Sequence, residues 1–203
     1  IEDELITKLA VGGEIIKEYD ESEYPEAPTG LYYHDSQKKL YIHDEEEEVI
    51  YMTSLTGKNA GTFEEFDADA ENVTRFIMTD EGVYYIKNVN KDHGELCFNG
   101  KEVASDVYNV ARVSDSDTIY YSTDYSSKDG SYSVWQLGGK KDQLIGEDVR
   151  AFDGAADGTA LMLIDYSSKR GEGELVYFDG KNSRTISSDV NGFLVRSGST
   201  RMY

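Results

Sequence analysis

Apolar residues in this chain come in short clusters separated by Gly, Asp, Asn and Ser, and no segment carries the spacing of an amphipathic helix. The clusters repeat. The stretches NVTRFIMTDEGVYYI, DVYNVARVSDSDTIYYS, DVRAFDGAADGTALMLI and DVNGFLVRSGSTRMY each open with Asn or Asp before a valine: Val73, Val107, Val149 and Val190. These valines lie 34, 42 and 41 residues apart. Three places on stand Phe76, Val110, Phe152 and Phe193; a small or acidic turn follows, then an apolar strand marked by Tyr84, Tyr120, Met162 and Tyr203. Two further strands complete each unit, joined by Gly100-Lys101, Gly139-Lys140 and Gly180-Lys181, where a glycine at positive φ suits a tight hairpin. An earlier copy runs LYYHD, LYIHD, VIYMTSL, Gly57-Lys58, TFEEF.

Four short strands in about 40 residues, repeated, predict an all-β chain folded as a β-propeller of four-stranded blades. A β-sandwich shares the short strands and turns but has no reason to repeat its sequence. The last copy supplies only two strands, 190–196 and 200–203. Residues 1–19 read as the missing outer pair, turning at Gly12-Gly13. Joined, they predict one domain over 1–203 with five blades, at about 27–72, 73–106, 107–148, 149–189 and 190–203 with 1–19. Closure from both termini would remove exposed sheet edges. The alternative is a fragment of a larger six- to eight-bladed propeller.

The turns TDEG before Val83, SDSD before Thr118 and AADG before Thr159 are degenerate forms of Ser-x-Asp-Gly ahead of an apolar strand. In this the chain resembles the TolB-like and dipeptidyl-peptidase-like propeller repeats of bacterial periplasmic and surface proteins. The resemblance covers most of the chain and implies a binding scaffold, commonly extracytoplasmic. It carries over no catalytic residue.

Charge narrows the choice of partners. Forty acidic residues against 20 basic ones give a formal charge of −20, which disfavours nucleic acid and anionic lipid and favours cations or basic partners. No apolar run is long enough for a membrane span, and no signal peptide is legible. The 16 tyrosines suit strands with one face buried and one wet. Cys97, in the alternating stretch ELCFNG, reads as a small core residue. In a propeller the b–c and d–a connections of every blade share one face. That face collects most of the carboxylates, opposed by Lys91, Lys128, Lys169 and Arg170.

Two groups on it, and a pair of histidines on neighbouring strands, carry candidate chemistry. DYSSKDG (124–130) and DYSSKRG (165–171) are near-identical loops in successive units. Their Asp124, Tyr125, Asp165 and Tyr166 offer rings and hydrogen-bonding groups for a protein or glycan. DADAEN sets Asp67, Asp69 and Glu71 at alternate positions, the beginning of a Ca2+ loop, without the turn glycine or distal Glu of an EF-hand. His34 and His43 fall on neighbouring strands; with a turn at 36–39, Asp35 faces Leu40, and Tyr32, His34, Tyr41 and His43 share one face. No third ligand is evident, so structural histidines are expected.

A propeller glycosidase needs inward carboxylates on its central strands. VTRFIM, VYNVARV, VRAF and VNGFLV offer none before Asp153, carrying Arg75, Arg112 and Arg150 instead. Neither GxSxG, Walker A nor CxxC appears. The sequence therefore predicts a non-enzymatic, extracellular or surface-located bacterial module that binds a protein, cation or glycan through its acidic loops. The alternatives are a carbohydrate-active propeller enzyme or a structural spacer in a surface assembly.

Overall fold

The computed structural model describes residues 8–11, 14–18, 28–113, 116–138 and 141–194, which form sixteen β-strands and no helix. No helix among them is long and apolar enough to cross a membrane. In chain order the strands are β1 (Lys8–Val11), β2 (Glu14–Glu18), β3 (Pro28–His34), β4 (Lys39–Asp44), β5 (Val49–Ser54), β6 (Glu64–Asp67), β7 (Thr74–Thr79) and β8 (Gly82–Asn90). They continue with β9 (His93–Phe98), β10 (Lys101–Arg112), β11 (Ile119–Ser126), β12 (Ser131–Gln136), β13 (Gln143–Gly154), β14 (Ala160–Ser167), β15 (Glu172–Phe178) and β16 (Ser183–Val190). Strands β1 and β2 make an antiparallel hairpin, β3 to β6 a four-stranded sheet, and β7 to β16 pair in chain order. The chain divides into two compact units, 1–105 and 106–203.

The repeat has a backbone cause. Strands β10 and β13 run 12 residues because each is two strands joined end to end. The first half of β13 pairs back with β12, from Gln143 to Val149, and the second half pairs forward with β14. At the joints Asp106 and Asp148 take left-handed φ values of 56° and 51°, and Asn72 (48°) and Asp189 (59°) do the same before Val73 and Val190. Asn and Asp tolerate that conformation best among residues with a Cβ. The Asn or Asp before each valine is thus the corner at which one strand set ends and the next begins. A second corner recurs inside the sets, where Asn88, Asp124 and Asp165 sit at φ 54°, 55° and 50° in bulges of β8, β11 and β14. Counted back three residues from these, Met162 is equivalent to Tyr85 and Tyr121, one place from the expected Tyr84 and Tyr120.

The hairpin glycines behave as their neighbours require: Gly57, Gly100 and Gly180 have φ of 89°, 79° and 93°, while Gly139 lies outside the described residues. The expected joining of 190–203 with 1–19 in one blade falls largely on residues outside the described ones; the hairpin part of it, β1 against β2, is present.

The second strand of each set is buried on both faces. Leu40 to Asp44 of β4, Ile119 to Ser122 of β11 and Ala160 to Leu163 of β14 are continuously buried, where the tyrosine-rich composition suggested one wet face. Strands lined with apolar residues on both sides require a packing partner on each. In unit 1, Tyr41, Ile50, Val83, Tyr85 and Cys97 form one core. Tyr32 of β3 stacks on Phe76 of β7 (centroids 4.2 Å apart, 11° between planes), so the first sheet packs on the next strands. In unit 2 the core is Tyr120, Val134, Ile145, Val149, Met162, Val176 and Phe178.

Candidate functional site

The two DYSSK loops fold alike. In each, the left-handed Asp ends the regular ladder, and a tight turn is closed by Gly130 N donating to Ser126 O (2.6 Å) and Gly171 N to Ser167 O (2.7 Å). Gly130 and Gly171 take φ of 66° and 73°, and exposure runs in the same order through both loops, with Asp124 and Asp165 exposed and Tyr125 and Tyr166 half-buried. Each tyrosine is covered by the residue that follows the buried valine of its unit. Tyr125 stacks on Tyr108 at 4.0 Å and 3°, and the Arg150 guanidinium lies 5.9 Å from the Tyr166 ring centroid.

Arg150 also reaches the other loop. Its Nη1 donates to the carbonyls of Asp129 and Gly130, both at 3.2 Å. The guanidinium therefore lies between the two loops, touching the backbone of one and the tyrosine of the other. Asp124 receives the Thr123 hydroxyl at 2.8 Å, and Thr123 in turn receives Trp135 Nε1 at 3.0 Å, so this carboxylate is oriented from beneath. Arg150 thus links the two loops that carry Asp124, Tyr125, Asp165 and Tyr166, and of these four it meets Tyr166. Its role was not legible in sequence beyond its place after Asp148-Val149, because the bond it makes spans about half a repeat.

The DADAEN carboxylates are not gathered. Asp67 is buried: its Oδ1 accepts Lys87 Nζ at 2.9 Å, and its Oδ2 accepts a short bond from the Tyr85 hydroxyl. Burial disfavours the Lys87 ammonium, but the hydrogen bond and charge of Asp67 outweigh it, and the lysine pKa is raised. Burial, and then the bond to Asp67, raise that of Tyr85. Asp69 and Glu71 are exposed. Glu71 is held as the edge of a turn, its N–H donating to Asn88 Oδ1 at 3.1 Å and its carboxylate accepting Asn72 Nδ2 at 2.9 Å. Among the described residues, no group of three or more His, Cys, Asp or Glu is placed to hold a metal ion.

The two histidines are buried and bonded to backbone. His34 Nε2 meets Thr79 O at 2.7 Å and His43 Nε2 meets Ala70 O at 2.8 Å. Their strands pair Tyr33 with Leu40, two residues from the expected register, because the turn is Asp35 to Lys38 with Lys38 at φ 50°. A shift of two preserves the faces, so Tyr32, His34, Tyr41 and His43 still share one side. Cys97 is fully buried, and burial pushes its thiol up to about 11. That setting makes it a core residue and a poor nucleophile.

No family model and no curated protein matches the chain. Solved structures similar to it include a Saccharomyces cerevisiae Dbp5 variant bound to Nup159, a Gle1 variant, IP6 and ADP; identity is 10% over 78% of this chain, with a TM-score of 0.43. Another is a luciferin-regenerating enzyme, 13% identical over 82% of this chain, with a TM-score of 0.34. The chain spans 47% and 62% of the lengths of these two matched chains. Neither likeness carries a function over. The expectation that the chain is not an enzyme is withdrawn: an enzyme is among the matched structures, and the sequence holds nothing that excludes activity. A backbone arrangement is compatible with catalysis or with its lack, so the want of a catalytic motif in the sequence is no ground for excluding activity.

Proposed function

We propose that the chain is a recognition module on a β-propeller scaffold, binding a polypeptide with basic side chains through the surface formed by the two DYSSK loops. The observation that carries this reading is Arg150, which ties the loops into one surface. Tyrosine and arginine held in fixed contacts are the residue types that anchor protein interfaces, because they bury large area at little conformational cost. The exposed carboxylates of Asp124, Asp129 and Asp165 around them would meet basic groups. The scaffold reading is supported by strand sets of four, by the left-handed corner between them and by second strands buried on both faces. It takes 1–203 as one domain of five blades with TolB-like repeats, acting at the cell surface or outside the cell.

The test is a titration with basic peptides and, separately, neutral oligosaccharides, using the parent chain and the Tyr125→Ala and Tyr166→Ala variants. Peptide binding that weakens at least about tenfold in both variants is expected. Peptide binding unchanged in both, or binding of the oligosaccharides alone, overturns the reading.

A further inference from the structure

Unit 1 holds a cleft of about 320 Å3, among whose lining residues are Tyr32, His43, Glu45, Asn72, Val73 and Val89. That is the size of a small-ligand pocket. It is preformed, since the Tyr32 ring is held by its stack on Phe76. We infer that this cleft takes an ammonium or guanidinium group on an apolar stem, as presented by a lysine or arginine side chain. The inference goes beyond the reading above, which concerns residues of unit 2 alone.

The argument rests on which lining groups have hydrogen-bonding capacity to spare. His43 has none. Its Nε2 must carry the proton, because the Ala70 carbonyl at 2.8 Å can only accept, and its Nδ1 meets the Thr29 hydroxyl at 3.0 Å. Asn72 uses one of its two N–H donors on Glu71 at 2.9 Å, which leaves its Oδ1 and its second N–H. Among the described residues, no lysine, arginine or histidine forms an ion pair with Glu45. The Tyr32 hydroxyl is partly desolvated, which raises its pKa, and burial is the only cause of that shift. The spare acceptors therefore include a carboxylate, an amide carbonyl and a phenol oxygen, and the carboxylate alone is charged.

Oxygens with one formal negative charge call for a donor-rich monocation. An ammonium brings three donors and a guanidinium five, and neither has an acceptor to leave unmatched. An anion would face Glu45 in a chain of net charge −20. A hard dication wants six to eight oxygens and several carboxylates, and Glu45 is the one carboxylate among the lining residues. The sides of Val73 and Val89 and the Tyr32 ring would cover an alkyl stem while its charged head reaches Glu45.

The experiment is an amide-resolved NMR titration at physiological ionic strength with the blocked amides of lysine, arginine and norleucine, and with methyl glucoside. It uses the parent chain, Glu45→Gln and Tyr32→Phe. Glu45 is exposed and the phenylalanine keeps the ring, so both variants retain the parent fold, which the spectra themselves check. Saturable shifts around Tyr32, Glu45 and Val89 with the lysine or arginine amide are expected, about tenfold weaker in Glu45→Gln and absent with the norleucine amide. Equal binding of norleucine amide or of the glucoside overturns the inference. So do non-saturating shifts that Glu45→Gln leaves unchanged, which would mark diffuse attraction to an acidic surface, and so does the absence of any shift. An Arg150→Ala chain should titrate like the parent here, which separates failure of this inference from failure of the DYSSK reading.

Discussion

At the scale of single residues, side chains that look alike in sequence do different work. Asp148 is exposed and serves through its backbone, at φ 51°. Replacing it by glycine should leave stability unchanged or slightly higher, while valine should cost about 1–2 kcal/mol in thermal or denaturant unfolding, since a β-branched residue resists the left-handed region. Asp67 serves through its carboxylate, paired with Lys87 at 2.9 Å. Lys87→Met would strand that buried charge and is expected to cost about 3–5 kcal/mol in chemical unfolding. The pair also sets a pH dependence. Lys87 and Tyr85 both have folded-state pKa values above their unfolded ones, so their contribution is complete below about pH 10 and is lost as pH rises further. Unfolding followed from neutral to strongly alkaline pH should show that decline, and less of it in Lys87→Met. Because Lys87 already occupies Asp67, millimolar calcium should not raise the melting temperature through this stretch; a rise reversed by chelator would show the contrary.

Whole elements here are built from corners as much as from strands. The bulged β11 and β14 turn their last residues into the DYSSK loops, and the doubled β13 delivers Arg150 between them. The two loop glycines offer a matched comparison. A Cβ on Gly130 would fall 1.7 Å from Arg150 Nη1, whereas one on Gly171 would meet only the Tyr166 hydroxyl, at 3.9 Å. Both substitutions to alanine bear the cost of a left-handed backbone, about 1 kcal/mol. Gly130→Ala should add the displacement of Arg150, giving a melting temperature below that of Gly171→Ala and weaker peptide binding.

For the molecule as a whole, charge is the dominant long-range term. With a formal charge of −20 and few ion pairs among the described residues, the compact state carries self-repulsion that salt can relieve. Raising salt to about 1 M, where the Debye length is about 3 Å, should raise the melting temperature. The Lys87 and Asp67 side chains are 9% and 6% exposed, so that pair should be screened little, and the gain should persist in Lys87→Met.

What the sequence by itself determined is local. An Asn or Asp before a valine and a glycine in a hairpin act through their own backbone or nearest neighbours, and the strand order follows from them. The alternation expected within ELCFNG does not hold, since Leu96 and Cys97 are both buried. The pairing register of β3 and β4, two residues from the expected one, already depended on which residue of the turn took the left-handed φ. Only the tertiary structure decided which polar groups are spent and which are free. Asp67 became half of a buried pair because β8 lays Lys87 and Tyr85 against it, twenty and eighteen residues away in sequence. Arg150 became the tie between two loops because β13 carries it past one hairpin to the next. Such contacts join segments far apart along the chain. Their energy comes from desolvation and fixed geometry, which the order of residues does not display.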